Sequence, residues 1–307
     1  MRDLRAKPGV IEAVLRAAAE RGPVRAAVVD PLDEPSLRGA LAAANLGIIV
    51  PVLVGERSAI LRVAEECGAS VDHGWVRDAE PGEEAATAAR MAADGDVAFL
   101  VKGQVHSNAL LHAVLREPRL RTERRVSHVL VLEVPGFDRP LFLSDAAVNI
   151  VPDLDEKRDI VQNAIDLAHA LGVTRPLVAI LAAVETVAMG MPSTVDAASL
   201  SKMAQRGQIT GGIVDGPLAL DDAVSEEAAR LKGIVSDVAG RADVLIVPDL
   251  DAGNLVFKTL DVLGHARFGG VVLGARVPIV VTSRGDGIDA RIVSCAVAAL
   301  LATHAKA

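Results

Sequence analysis

Aromatic side chains are scarce in this chain. Only 2% of its 307 residues are aromatic, and tyrosine is absent. Proteins that bind single-stranded nucleic acids stack the bases on aromatic rings, so this composition argues against a nucleic-acid partner. The net charge of −8 argues the same way, because it repels nucleic-acid phosphates. A small phosphorylated ligand is still compatible with this charge, since a few arginines and helix N-termini can reverse its sign locally.

Cysteine is scarce as well, and the residue patterns of several enzyme classes are missing. The two cysteines are Cys67 and Cys295, and their apolar helical neighbours predict that both are buried thiols without a disulfide. The seven histidines do not cluster, which disfavours a zinc site. The sequence has no Gly-x-Ser-x-Gly motif, so a hydrolase has little support.

Long apolar runs are also missing. Charges or prolines interrupt the hydrophobic stretches well before the roughly 18 residues that a membrane-spanning helix needs. Residues 1–8 include basic side chains, but neither an apolar core nor a small-residue cleavage site follows them. We therefore expect a cytoplasmic protein without a membrane partner.

Short apolar strands alternate with alanine-rich helices along the chain. This alternation predicts parallel sheets, covered by helices on both faces and joined by right-handed crossovers. Treated as a prior, the length of 307 residues fits two domains of roughly 150 residues each. We expect two three-layer α/β domains with mostly parallel sheets and a ligand at the carboxyl ends of the strands. The predicted strands are 25–30, 48–55, 97–101, 128–134, 177–181, 244–247, 270–273 and 278–281.

One helix and the domain limits can be predicted from local signals. Residues 156–171 carry apolar side chains at spacings of three and four, which predicts a helix. Asp153 or Asp155 can cap its start, and Gly172 can end it. The clearest composition break is 135–140, and the predicted last helix can return to the first domain. The predicted domains are 1–140 with about 285–307, and 141–284.

Polar residues that suit an anion follow the strand 278–281. Ser283 and Arg284 bring a hydroxyl and a guanidinium, glycines follow, and Asp289 stands at the start of the last helix. Bidentate donors, backbone N–H groups and a helix N-terminus are what a phosphate requires. The alternative interpretation is a helix cap with a surface arginine.

Three further segments follow or surround strands. In 248–258 the candidates are two aspartates, a Gly-Asn pair and Lys258, although the aspartates can simply cap a helix and the lysine can be solvated. The glycine-rich segment 206–221 permits close backbone approach to a ligand, but it has neither a P-loop nor a G-x-G-x-x-G spacing. Lys102 is either a cationic ligand contact or merely the end of a strand.

Several motifs, in the same order along the chain, resemble those of the phosphate acetyltransferase and phosphate butyryltransferase family. Any one of them is weak, but their common order is specific. Residues 184–192 are most similar to the butyryl-type members. The matching motifs are 102–103, 145–150, 152–158, 160–164, 191–198, 201–204, 208–218, 248–258 and 282–284.

The resemblance implies a fold and an activity. The fold is that of isocitrate-dehydrogenase-like proteins, in which two α/β domains enclose an active cleft. The activity is the reversible transfer of a short acyl group, acetyl or butyryl, between coenzyme A and inorganic phosphate. Coenzyme A is then a substrate, and no cofactor is bound tightly. The expected partners are acyl-CoA, phosphate and acyl phosphate, and the resemblance also suggests a homo-oligomer.

The resemblance also implies roles for individual residues. Ser283 and Arg284 bind the phosphate or acyl phosphate, and an aspartate a few residues later acts as base toward the coenzyme A thiol. The acetyl-type motif places this base near Asp289, but the local spacing differs and Asp286 also fits. Phe257 stands where the family often has tyrosine. The expected substrate-binding residues are Lys102, Asp215, Gly216, Pro217, Asp249, Gly253, Asn254, Lys258 and Thr282.

An ordinary aspartate is a poor base for a thiol. With pKa values of about 8.5 and about 3.9, the proton transfer is uphill by about 6 kcal/mol. Our hypothesis is that desolvation raises the proton affinity of the carboxylate, while Arg284 and a helix N-terminus stabilise developing charge.

Two other classes remain open from the sequence. A non-catalytic module would bind acyl-CoA without transforming it. An NAD-dependent decarboxylating dehydrogenase can share the architecture, but it needs acidic metal ligands and a dinucleotide site, and neither is arranged convincingly in the sequence.

Overall fold

Strands and helices alternate along the part of the chain that the computed structural model describes, residues 9–283 and 285–304. Short helical turns of other types lie at His73–Trp75, Pro118–Leu120 and Thr259–Leu263. The main elements are, in chain order, α1 (Val10–Arg21), β1 (Val24–Val29), α2 (Glu34–Asn45), β2 (Ile49–Gly55), α3 (Arg57–Glu66), β3 (Val76–Asp78), α4 (Glu84–Asp94), β4 (Phe99–Lys102), α5 (Ser107–Arg116), β5 (Ser127–Glu133), β6 (Leu141–Ser144), α6 (Leu154–Ala170), β7 (Leu177–Leu181), α7 (Pro192–Gln205), β8 (Ile213–Leu218), α8 (Leu220–Val224), α9 (Glu226–Leu231), β9 (Val244–Ile246), α10 (Leu250–Lys258), β10 (Arg267–Leu273), β11 (Ile279–Val280) and α11 (Ile288–His304).

The chain divides into two compact units. Among the described residues, the flanking unit comprises Ile11–Arg124 and residues 268–304, and the central unit comprises residues 9–10 and Arg125–Arg267. In the flanking unit the strand order is β3-β2-β1-β4-β11-β10, and the pairs are parallel except β10 with β11. Right-handed crossovers place α2 and α4 on opposite faces, and α2 packs on α11 while α4 packs on α5.

The central unit repeats this architecture. Its strand order is β5-β6-β9-β7-β8, with β5 and β6 antiparallel and the other pairs parallel. Helices α6 and α7 pack together, whereas α8 and α9 belong to the crossover that runs back from β8 to β9. The predicted class, mostly parallel α/β with helices on the sheets, is therefore confirmed.

The eight predicted strands are all present in the described chain, and β8 is the short strand expected inside the glycine-rich segment 206–221. The prediction missed the two remaining strands, β3 and β6. Both are short, with three and four residues, so neither gives a clear periodicity. The predicted helix is α6, capped by Asp153 rather than Asp155. The Asp153 carboxylate accepts a hydrogen bond from Glu156 N–H at 2.9 Å, and the Glu156 carboxylate accepts one from Asp153 N–H at 3.1 Å.

The segment 135–140, on which the predicted domain limit rested, is the turn of the β5–β6 hairpin inside the central unit. Strand β11 pairs with β4, so the chain after residue 267 lies with the N-terminal strands. The change in composition at 135–140 therefore corresponds to a turn between two strands and not to a boundary between the units. As a statement about independently folding domains, the limits 1–140 with 285–307 and 141–284 stay a prediction.

The cores are built almost entirely from aliphatic side chains. Phe99 and Phe142 are the aromatic residues among the largest fully buried side chains of the described chain. Cys295 is buried as predicted, whereas Cys67 is half-buried because it follows the last residue of α3 and closes that helix end. No described helix has both the length and the apolar character of a membrane span.

Candidate active site

The loop between β11 and α11 forms a closed turn with an exposed hydroxyl. Thr282 is buried, and Ser283 is exposed. The Asp286 carboxylate accepts a hydrogen bond from Ser283 N–H at 2.7 Å, and Asp286 N–H donates to the Ser283 carbonyl at 3.2 Å. Arg284, the predicted phosphate ligand, lies outside the described residues.

Two buried cationic side chains contact this loop among the described residues. Lys102, 7% exposed at the end of β4, donates from Nζ to the Thr282 carbonyl at 3.4 Å and to the Gly103 carbonyl at 3.2 Å. Arg291, 5% exposed in the first turns of α11, donates to Thr282 Oγ1 at 2.7 Å and to the Ser283 carbonyl at 3.1 Å. The structure thus brings together Lys102, Thr282, Ser283 and Asp286, which the sequence had proposed.

Arg291 was missed by sequence reasoning. It stands at the start of an apolar helix, where a single basic residue gives no distinctive pattern. Asp289 is exposed in the first turn of the same helix, where a negative charge is favoured by the helix dipole.

Asp30 is a second residue that sequence reasoning missed. It directly follows β1, which pairs with β4, and its backbone has a positive φ of 56°. Burial, followed by the nearby Glu84 and Asp33, raises the pKa of Asp30 above its ordinary value. A Cβ on Gly103 would overlap the Asp30 carbonyl, so only glycine fits there. A carboxylate directly after four buried strand residues was the available signal.

The turn after β6 in the central unit is closed by its own hydrogen bonds. The buried Asp145 carboxylate accepts hydrogen bonds from Ala147 N–H at 2.9 Å and Val148 N–H at 3.1 Å. It also accepts from Asn149 N–H at 3.1 Å and Asn149 Nδ2 at 2.6 Å. A Cβ on Gly253 would come within 2.6 Å of the Asp145 carbonyl, so this glycine lets α10 pack against the turn.

The other candidates of the segment 248–258 have different environments. The Asp249 carboxylate accepts from Ala252 N–H at 2.8 Å and caps α10, as the alternative interpretation expected. Asn254 is exposed. Lys258 is partly exposed, donates to Asp261 at 3.1 Å and lies 4.5 Å above the Phe257 ring.

The glycine-rich segment 206–221 includes β8. The Asp215 carboxylate accepts from Gly216 N–H at 2.8 Å and also from the Ser236 hydroxyl. A Cβ on Gly216 would come within 2.7 Å of the Ile180 carbonyl. This glycine therefore permits close packing of β8 on β7, and Pro217 follows it in the buried part of the strand.

An ion cluster near the carboxyl ends of β7 and β8 was also missed. Lys232 donates to Glu185 at 2.7 Å and to the fully buried Asp222 at 2.9 Å. The hydrogen bond from Lys232 lowers the pKa of Glu185 to about 2, and the bond with Glu185 raises the pKa of Lys232. Burial raises the pKa of Asp222. Among the described residues, no group of three or more His, Cys, Asp or Glu side chains is arranged to hold a metal ion.

The chain is similar to a known protein family and to several of its members. The family model described as "Phosphate acetyl/butaryl transferase" matches residues 76–299, more than half of the chain. A phosphate acetyltransferase of Rhizobium meliloti is 50% identical over 304 residues, covering 98% of this chain and 96% of the relative. A phosphate butyryltransferase of Clostridium acetobutylicum is 43% identical over 280 residues, covering 91% and 93%. The crystal structure of a branched-chain phosphotransacylase from Enterococcus faecalis V583 matches with a TM-score of 0.79 and 28% identity, covering 91% of this chain and 99% of that one.

Proposed function

Because the chain belongs to the phosphate acetyl/butyryl transferase family, we infer that it transfers a short acyl group, acetyl or butyryl, reversibly between coenzyme A and inorganic phosphate. It is therefore an acyltransferase, and coenzyme A is its substrate rather than a bound cofactor. The observation that carries this proposal is the loop at Thr282 and Ser283, braced by the buried Lys102 and Arg291.

The reaction exchanges one bond at the acyl carbon. In one direction a phosphate oxygen attacks the thioester carbon, the carbon–sulfur bond breaks, and coenzyme A leaves as a thiolate that takes up a proton. In the other direction the thiolate attacks acyl phosphate, and phosphate leaves. Ser283 and Arg284 bind the phosphate in our proposal, and the N-terminus of α11 adds backbone donors and a favourable dipole.

The two candidate bases differ in exposure, since Asp286 is half-buried in the loop and Asp289 is exposed. The Asp286 carboxylate is engaged by the Ser283 N–H, so we assign it to the shape of the loop. We assign the exposed Asp289 to the thiol proton. Because transfer to an unperturbed aspartate is uphill by about 6 kcal/mol, exclusion of water by bound acyl-CoA has to raise its proton affinity.

The central-unit candidates divide into donors and shaping residues. Asn254 and Lys258 are at least partly exposed and offer an amide and an ammonium group to the polar parts of coenzyme A. Asp249 fixes the start of α10, and Gly253 sets its distance from the turn after β6. We assign Asp215, Gly216 and Pro217 the same kind of shaping role in β8.

A thiol-release assay tests the proposed activity. Release of free thiol from acetyl-CoA and butyryl-CoA should depend on added phosphate, and the ratio of the two rates gives the chain-length preference. Arg284→Ala should reduce transfer by a factor of about a hundred or more, whereas Arg276→Ala, an exposed arginine of the same unit, should not. Activity of Arg284→Ala within a few-fold of wild type would remove Arg284 from the mechanism.

The same assay separates the rival classes. A non-catalytic acyl-CoA-binding module would bind the thioester but release no thiol when phosphate is added. A decarboxylating dehydrogenase would change the absorbance of a nicotinamide cofactor during turnover, and an acyltransferase would not. We also propose that the enzyme acts in the cytoplasm, which cell fractionation with activity assays can check.

We propose that the protein is a homo-oligomer, supported by exposed apolar side chains of the central unit. Ile150 and Val151 are 72% and 79% exposed, and Leu255 and Leu263 are 69% and 76% exposed. The two segments adjoin, because Leu250 N–H donates to the Ile150 carbonyl at 3.0 Å. Exposed apolar clusters of this kind are typical of protein interfaces. In analytical ultracentrifugation, wild type should sediment as an oligomer, and the double variant Leu255→Glu with Leu263→Glu should sediment as a smaller species. Equal sedimentation of the two proteins would contradict the proposal that this surface is the interface.

A further inference from the structure

Arg291 occupies a position that stability alone does not explain. A positive charge near a helix N-terminus opposes the helix dipole, and a buried charge without a carboxylate is costly. Within the described chain, no carboxylate pairs with this guanidinium, whose hydrogen bonds go to the Thr282 hydroxyl and the Ser283 carbonyl. Its Nε is buried and has no hydrogen-bond partner among the described residues. Departures of this kind from the rules of stability occur mainly at functional sites.

The neighbouring helix makes room for this side chain. A Cβ on Gly39, in the interior of α2, would lie 3.0 Å from both Cβ and Cδ of Arg291. Glycine is a poor helix former, so α2 gives up helix propensity at the point where the arginine stem passes. The packing of α2 on α11 is therefore adapted to Arg291.

The contacts of Arg291 fix both residues of the exposed loop. One guanidinium nitrogen holds the side chain of Thr282, and the other holds the main chain of Ser283. Lys102 holds the Thr282 carbonyl, and Asp286 holds the Ser283 N–H. The Ser283 side chain stays exposed, and its hydroxyl accepts a hydrogen bond from Gly285 N–H at 3.4 Å. The positive guanidinium of Arg291 contacts the main chain of the same residue.

We propose that Arg291 is a positioning residue for phosphate: it presets the Ser283 loop for an incoming phosphate or acyl phosphate and adds positive potential behind it. This inference rests on the proposed acyl transfer to phosphate. Arg291 acts through the loop, and phosphate need not touch it.

Kinetics of Arg291→Met and Arg291→Lys test the proposal. Arg291→Met should raise the KM for phosphate about ten- to a hundredfold, the loss expected for hydrogen bonds made by a charged group. The KM for acyl-CoA should stay within about twofold. Arg291→Lys keeps the charge but only one donor position, so its phosphate KM should lie between those of wild type and Arg291→Met.

Val293→Ala is the matched control. Val293 is buried on the same helix but packs against Gly269 of β10, so its truncation loosens α11 without touching the loop. It should lower the thermal midpoint and leave the phosphate KM unchanged. If Arg291→Met behaves like Val293→Ala, its role is purely structural and the proposal is wrong.

Two further measurements keep the proposal testable whatever happens to the first variant. Gly39→Ala retains the arginine but presses on its stem, so a smaller rise in phosphate KM should appear even if Arg291→Met does not fold. A normal phosphate KM in Gly39→Ala and Arg291→Lys would overturn the proposal.

If wild type shows no phosphate-dependent thiol release, the proposed function has failed separately. Stabilisation of wild type by sodium phosphate over sodium chloride at equal ionic strength then decides. A weaker stabilisation of Arg291→Lys supports positioning, and an undiminished one contradicts it.

Discussion

The turn after β6 and the loop after β11 occupy equivalent places, each at the carboxyl end of a strand, but their hydrogen bonding differs. The Asp145 carboxylate of the first accepts four hydrogen bonds from its own turn. The Arg291 guanidinium of the second binds neutral oxygens and leaves Nε without a partner among the described residues.

This difference distinguishes a buried charge that is fully hydrogen-bonded within its own turn from one that is not. A buried charge whose hydrogen bonds are complete contributes to a rigid turn and has no capacity left for a ligand. A buried charge with neutral partners and an exposed hydroxyl beside it keeps positive potential for an anion. Both segments follow a short strand of the structure, so the difference lies in which atoms surround the buried charge.

The largest expected effect is on activity, in the loop after β11. Asp289→Asn should lower kcat by about 10²- to 10⁴-fold, the usual contribution of a general base. The thermal midpoint should fall only slightly, because the exposed side chain loses a charge that the helix dipole favours. Asp286→Asn, which keeps an oxygen for the Ser283 N–H, should lose less. Equal losses in the two variants, measured by steady-state kinetics, would withdraw the assignment of the base to Asp289.

The next effect is on stability, in the turn after β6. In wild type the Asp145 carboxylate accepts hydrogen bonds from several N–H donors, whereas the NH₂ group of an asparagine would face those donors without accepting from them. Asp145→Asn should therefore lower the free energy of unfolding by about 3 kcal/mol. Activity per folded molecule should persist. Asp251→Asn, exposed in the same unit, is the control for urea denaturation. A stable but inactive Asp145→Asn would mean that this turn belongs to the active site.

Substitution of one glycine in each region by alanine compares how tightly the two regions are packed. Gly253→Ala would place a Cβ 2.6 Å from the Asp145 carbonyl and should cost about 1 to 3 kcal/mol of stability by overpacking. Gly287→Ala, in the loop after β11, meets no atom within 4 Å and has no positive φ, so its effect should stay within about 0.5 kcal/mol. Similar midpoints of unfolding for the two variants would contradict the tight contact at Gly253.

The smallest effect concerns the ion cluster of the central unit and depends on pH. The hydrogen bond from Lys232 lowers the pKa of Glu185 from 4.5 to about 2. A carboxylate with a lowered folded pKa contributes stability above its ordinary pKa, and this contribution is lost as pH falls from 4.5 toward 2. Urea midpoints of wild type and Glu185→Gln should therefore differ at neutral pH and converge over this window, whereas the exposed Glu66→Gln should follow wild type throughout. Parallel curves for wild type and Glu185→Gln would show that the ion pair is screened out in solution.

Much of the fold was predictable because periodicity and local caps are encoded within a few residues. The strands near 25–30 and 177–181 and the cap at Asp153 are examples. Short strands such as β6 were not predictable, since four residues carry too little pattern. The segment 135–140 was predictable as a turn, but nothing local told whether it joined strands or domains.

The candidate site was predictable in part. Ser283, Asp286 and Lys102 stood out as polar residues after strands, and Asp249 was expected to be a cap or a ligand contact. Arg291 and Asp30 did not stand out, because their roles depend on which distant atoms surround them.

The sequence by itself determined the alternating α/β architecture and the strand ends at which chemistry can occur, because these follow from local periodicity and turn-forming residues. Only the tertiary structure decided which strand end is closed by its own carboxylate and which is held by buried cationic side chains. That decision depends on contacts such as Lys102 with Thr282, which are 180 residues apart, and on the space beside Gly39 that admits Arg291. Hydrogen bonds between distant segments form only when the sheet brings their ends to one edge, and no local pattern encodes where a long side chain then points.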